Sequence, residues 1–331
     1  MSVAVNWGTG PISVSISGAE DNLGSRVLAG LEAEPSITLP PTTGSIDVVV
    51  HLGSGDPDAR ARRRENVTEG VDRTLAEAIA RDADHLVFVS SAMVYGAWPN
   101  NPVPLTEDAI LRPDVDFVYA RQLAAAEAMA DRWRRQRPGR TVAVLRPVVS
   151  MAADGSSHLA RSLAAGLGER FGEVDPAAQF LHLDDLGAAV ILAVNKRLDG
   201  VFNVAPDGWI AGERVRALSG ERPRLKLPDR VAEVVAALRW RFQRGPIPPG
   251  LRSYTRHSWV VANDRLKQQG WAPTVTNEQA YVEGTEGRWW TMVTPRRRQE
   301  IALGAMIGGA LIVAGGALLV VRSWRRRRRA G

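Results

Sequence analysis

ISVSISGAEDNLGSRVLAGL, residues 12 to 31, contains the change of period on which the fold turns. Its first six residues alternate apolar and polar, as a half-buried strand does, and Gly18 stops the alternation. From there the spacing lengthens, and Leu23, Val27, Leu28 and Leu31 recur at helical intervals. Strand, glycine and helix make the first half of a βαβ unit. Further strands are predicted at SITL (36–39), IDVVVHL (46–52), HLVFVSS (85–91) and TVAVLRP (141–147), with helices over 66–81 and 115–137. Their apolar runs are nearly continuous, which suits a parallel sheet covered on both faces. The expectation is a doubly wound α/β core over residues 1–150.

Beyond residue 150 the alternation loosens into helices and short strands, FLHLDDLGAAVILAV (180–194) and GVFNVAP (200–206) among them. Residues 151–294 are read as a smaller cap region that also completes the core. PDRVAEVVAALRWRFQ (228–243) places Val231, Val234, Val235 and Leu238 on one helical face, which suits a helix packed on the body. Residues 295–331 form a separate end.

That end carries the charge. The 331-residue chain has a net charge of +6, yet Arg296, Arg297, Arg298, Arg322 and Arg325 to Arg329 outweigh it even with Glu300 set against them. The body is therefore slightly acidic, which argues against a nucleic-acid partner. Nearly all the basic charge is arginine, since the only lysines are Lys196, Lys226 and Lys267, a bias expected of a GC-rich bacterial genome. Cysteine is absent, so disulfides, thiolate metal sites and cysteine nucleophiles are excluded.

Between the arginine clusters runs IALGAMIGGALIVAGGALLVV, residues 301 to 321, without a charge. As a helix it would span roughly 31 Å, the thickness of a bilayer's hydrocarbon core. Trp289, Trp290 and Trp324 flank it as interfacial aromatics do. It is read as a single-pass C-terminal transmembrane helix at the cell membrane. Gly304 and Gly308 form a GxxxG step through which a homodimer could pack. More arginines follow the span than precede it, which would hold the C-terminus inside. However, MSVAVNWGTG shows no secretory signal, and a cytoplasmic body is the expectation.

Several segments together resemble the extended short-chain dehydrogenase/reductase family, which includes the NAD-dependent sugar-nucleotide epimerases and dehydratases. They occur in the family's order: GAEDNLG (18–24), VVVHLGS (48–54), NVTEG (66–70), VSSAMVYG (89–96), VYARQ (118–122), VLRPV (144–148), FLHLDDL (180–186) and DRLKQQGWAPT (264–274). The resemblance covers roughly residues 12 to 290. It implies a Rossmann-type sheet, NAD or NADP as cofactor and a small-molecule substrate, a sugar nucleotide or, given the anchor, a lipid-linked sugar. It also implies that Gly18, Asn22, Leu23, Gly24, Leu52 and Gly53 lie along the cofactor, and that Ser91 and Tyr119 are the catalytic hydroxyls.

The sequence departs from the family at both ends of that site. The family's GxxGxxG reads here as Gly18, Asp21 and Gly24, with a carboxylate where the pyrophosphate would lie. SITLPPTTG offers neither the acid expected for an adenosine ribose nor a base for a ribose phosphate. Four residues after Tyr119, where the family has the lysine that lowers the tyrosine pKa, stands Leu123. Arg146 or Arg161 would have to supply a cation instead. Two readings follow: a membrane-anchored epimerase/dehydratase-like enzyme with impaired activity, or a non-catalytic binding or scaffold protein of the same fold at the membrane. A membrane steroid dehydrogenase ranks below both, because it too needs the lysine. His182, Asp184 and Asp185 read as a strand end and a helix start, with an aspartate as the cap and no metal.

Overall fold

A computed structural model describes residues 10–39, 44–53, 67–154, 158–168, 176–218, 234 and 249–285. Contacts divide the chain into Met1–Thr285 and Glu286–Gly331. The expected transmembrane span at 301–321, its GxxxG step and all but Val234 of the expected helix over 228–243 lie outside the described residues. Among those described, no helix is long and apolar enough to cross a membrane.

Six parallel strands form the main sheet: β1 (Ile12–Ser17), β2 (Ile37–Thr38), β3 (Val48–His51), β4 (His85–Val89), β5 (Thr141–Pro147) and β8 (Gly200–Val204), in the order β2-β1-β3-β4-β5-β8. Every residue of β3, β4 and β5 is buried, which explains why these segments are runs of Val, Leu and Phe rather than alternating. Two short strands, β6 (Val149–Met151) and β7 (Phe180–His182), pair separately in parallel. The expected strands all form, and β8 shows that the second half of the chain supplies an edge of the first half's sheet.

Helices cover both faces. On one side, α1 (Asn22–Glu32) and α5 (Leu183–Asn195) pack Leu23, Val27, Leu31, Leu186 and Val190 against Val14, Val48 and Val50. On the other, α2 (Val67–Ala80) and α3 (Val118–Arg135) pack Val71, Leu75, Leu123, Ala126 and Trp133 against Val49, Leu86 and Phe88.

Two histidines are buried within these layers. His51 meets Thr74 Oγ1 through Nδ1 at 2.8 Å, and His85 bridges Thr141 Oγ1 at 2.9 Å and the Ala193 carbonyl at 3.2 Å. Burial holds His51 down at about 4, helped by the charge of Arg73, and His85 at about 3.

Chain order reverses between β1, which continues through α1 to β2, and β3 on its other side. A crevice opens at such a reversal, beyond the carboxyl ends of the strands. The turns after β1, β3 and β4 converge there.

Candidate active site

The turns at the crevice are held close by glycine. Gly18 has φ +84°, and a Cβ on it would stand 2.6 Å from the Gly53 carbonyl oxygen, so the loops after β1 and β3 meet backbone to backbone. Gly24 plays the same part inside the turn, where a Cβ would lie 2.3 Å from the Ala19 carbonyl oxygen. Gly18, Gly24 and Gly53 thus shape the crevice edge. Asn22, Leu23, Leu52, Ser91 and Tyr119, also expected from sequence, line the cavity itself.

That cavity measures about 410 Å³, within the range of small-molecule sites. Leu159, Leu163, Leu183, Leu186, Val149 and Trp259 make its apolar wall. Trp259 comes from the C-terminal segment, which is fastened over the crevice: the Tyr254 hydroxyl donates to the Met93 carbonyl at 2.7 Å, and Tyr254 meets Trp259 edge-on at 5.5 Å.

At the α1 end, Asp21 is the helix N-cap, its Oδ1 accepting from the Gly24 amide at 2.9 Å. Asn22 Nδ2 donates to the Asp154 carbonyl at 2.8 Å, tying the loop after β6 over the helix start. Arg26 fastens the same loop by pairing with Asp154 at 2.8 Å and with Asp184. Its hydrogen bond holds the Asp154 carboxyl below the usual range.

At the β4 end, Ser91 caps the single 3-10 turn Ala92–Tyr95, its Oγ accepting from the Met93 amide at 3.2 Å. Its neighbour Ser90, 5 % exposed, also lines the cavity and donates from Oγ to Glu127 Oε1 at 2.5 Å. Glu127 is gripped by Arg146, through Nη2 to Oε2 at 2.6 Å and Nε to Oε1 at 3.1 Å. Arg146 Nη1 donates to the Tyr95 hydroxyl at 2.8 Å, and that hydroxyl donates to Asn203 Oδ1 at 2.8 Å.

Tyr119 is half-buried beside the cavity. Desolvation pushes its hydroxyl up to about 12, and the charge of Asp21 pushes in the same direction. Leu123, 3 % exposed, belongs to the apolar cluster between α3 and the sheet. Of the two arginines considered as substitutes for lysine, Arg146 is committed to Glu127 and Tyr95, whereas Arg161 is exposed and lines the cavity.

A sequence model described as the NAD dependent epimerase/dehydratase family matches residues 33–205, just over half of the chain. The chain belongs to that family. An uncharacterized protein of Mycobacterium tuberculosis is 24 % identical over 271 residues, 80 % of this chain and 72 % of the relative. The structure is similar to UDP-glucose 4-epimerase of Thermotoga maritima, solved with UDP-glucose, at a TM-score of 0.58 and 17 % identity, over 85 % of this chain and 100 % of that one. RMD of Pseudomonas aeruginosa, solved with NADPH, superposes with a TM-score of 0.58 at 18 % identity, over 83 % of this chain and 97 % of that one. At such identities these two show the shared fold.

Judged as a family member, the crevice keeps the family's frame and departs from it at the charged positions. A dinucleotide at a β1/β3 reversal would lay its pyrophosphate on the N-terminus of α1. Asp21 puts a carboxylate at that terminus and takes the Gly24 amide for itself. β2 ends at Thr38, followed by the exposed Leu39, so among the described residues no acid ends that strand to meet a ribose. At these two places the chain departs from the usual dinucleotide contacts, while it belongs to a family described as NAD dependent.

Several site residues escaped the sequence reading. Glu127 did carry a signal: it lies one turn beyond Leu123, an acid on the inner face of an alanine-rich helix. Asp154 and Trp259 carried none, being brought in by loops from distant segments, and Ser150 comes from the short strand β6. The expected aspartate cap of α5 is corrected: His182 Nδ1 accepts from the Asp184 amide at 3.2 Å, because the ring is the first acceptor to face the open helix end. Asp185 points inward instead and takes the amides of Thr274 and Val275 at 2.9 and 3.1 Å.

Proposed function

We propose that this family member binds a small molecule in the crevice without the family's tyrosine-centred proton transfer. The observation that carries this is the environment of Tyr119: desolvated, beside the Asp21 carboxylate, with an apolar side chain at position 123. A general acid or base works best with a pKa near the working pH. A hydroxyl at about 12 is ionised to roughly one part in 10⁵ at neutral pH.

In this reading Ser91 and Tyr119 are ligand-contacting hydroxyls, residues 151–294 serve as the cover, and residues 301–321 anchor a cytoplasmic body to the membrane as a monomer or a GxxxG dimer. The test is NAD(P)-dependent turnover of UDP-sugars and lipid-linked sugars by the full chain and by Tyr119→Phe. The expected result is no turnover above background in either. Turnover in the wild type that falls a hundredfold or more in Tyr119→Phe would overturn the reading.

A second reading, an epimerase/dehydratase-like enzyme using NAD or NADP on a sugar-nucleotide or lipid-linked substrate, is favoured by the family match and by Arg161, a cation in the cavity lining. It requires that turnover fall in Arg161→Ala as well as in Tyr119→Phe.

A further inference from the structure

Two cavities share one partition, and Trp259 is its largest member. Val148, Val149 and Trp259 line the crevice and also a second cavity of about 10 Å³, room for roughly one water. Beyond them the small cavity is bounded by Leu167, Ala177, Ala178, Gln179 and Val260. Val148 is fixed by its amide, which donates to the Val204 carbonyl at 3.1 Å, and Val149 by pairing with Phe180 in the short sheet. Trp259 is the one large side chain of the three, so shortening it is the change that would join the two spaces.

The indole is held in place. Trp259 is 7 % exposed, its Nε1 donates to the Tyr254 carbonyl at 3.1 Å, and Tyr254 is itself tied to the Met93 carbonyl. On both flanks the chain is pinned to the segment that bounds the small cavity. The Ala177 amide donates to Ser258 Oγ at 3.1 Å, the Val261 amide donates to Gln179 Oε1 at 2.8 Å, and Gln179 Nε2 donates to the Val261 carbonyl at 3.1 Å. A wedged aromatic with its one polar atom satisfied has little freedom to swing, so it serves as a fixed wall.

Resting on the binding reading above, we infer that Trp259 sets the length of ligand the crevice accepts. The apolar end of the ligand stops at the indole, and a shorter side chain there opens the crevice toward Ala177 and Ala178. The limit is one of shape and holds whatever polar head the ligand carries. Each further methylene buried should raise affinity about fourfold, and one that meets the wall should add nothing or weaken binding.

A homologous series with a constant head tests this: the phenylalkanols from phenylmethanol to 8-phenyloctanol, titrated by calorimetry into the full chain in lipid nanodiscs, with empty nanodiscs subtracted. In the wild type, affinity should climb about fourfold per methylene and then break off at one length. Trp259→Leu should move that break at least one methylene further. Adding Ala178→Val to Trp259→Leu refills the opened space and should bring the break back, which a general loosening of the fold would not do. Trp209→Leu, at an indole that is 47 % exposed and outside both linings, should leave the break in place. Should Trp259→Leu fail to fold, Trp259→Phe is judged by the same shift. A break at the same length in wild type and variant, or affinity that climbs through the longest probe in the wild type, overturns the inference and leaves the binding reading standing. If no member of the series binds at millimolar concentration, both fall.

Discussion

At the β5 end of the crevice Arg146 is buried against Glu127 and Tyr95, with Ser90 bonded to the same Glu127, whereas at the α1 end Asp21 meets one backbone amide and, among the described residues, no cation. The first arrangement is what a charge removed from water requires. The second is tolerable only because the cavity leaves Asp21 partly open to solvent. The buried Glu127 and Arg146 are paired with each other, and among the described residues the half-buried carboxylate at the start of α1 has no cation beside it.

The largest effect should come from breaking the paired end. Glu127→Ala leaves Arg146 buried without a counter-charge and should cost about 3–5 kcal/mol in urea unfolding. Replacing both partners, as in Glu127→Met with Arg146→Leu, should cost less than the single change, because no orphan charge remains. Equal losses would mean that the pair is not an energetic unit.

Next comes acid. His51 and His85 are neutral in the folded chain, held at about 4 and about 3, while in the unfolded chain they titrate near 6.5. The unfolded state therefore takes up protons first. Their contribution is complete above pH 6.5 and is lost as pH falls toward 4, on the order of 3 kcal/mol for each. His51→Gln should flatten that part of the stability–pH curve, measured by urea midpoints between pH 7 and 4.

At the unpaired end the effects are smaller. Asp21→Ala removes the cap of α1 and should cost about 1 kcal/mol, while Asp21→Asn should cost only a few tenths. Asp21→Asn should also let the Tyr119 hydroxyl ionise at a lower pH, because a charge that raises it has gone. Ultraviolet tyrosinate titration, with Tyr119→Phe identifying the step, would show the shift, and no shift would break the link between the two residues.

Much of the fold could be read along the chain, for local reasons. β1 and α1 announce themselves by their periods, and β3, β4 and β5 by apolar runs with no room for a solvent face. The cavity-lining residues Asn22, Leu23, Leu52, Ser91 and Tyr119 were legible through the family resemblance, whose motifs fall at strand ends and helix starts that meet at the crevice. Asp154 and Trp259 were not, because loops place them across more than a hundred residues of sequence and no local pattern records it.

The sequence by itself determined the parallel α/β core, the family frame and the absence of lysine at position 123, because periodicity and residue identity are local properties. Only the tertiary structure decided what became of the charges. It showed Arg146 spent on Glu127, Asp21 spent on the Gly24 amide and set against Tyr119, and Ser90 turned toward Glu127. Whether a charge is paired, screened or left facing a ligand depends on distances and burial, and in a doubly wound sheet those are fixed by segments far apart in the chain.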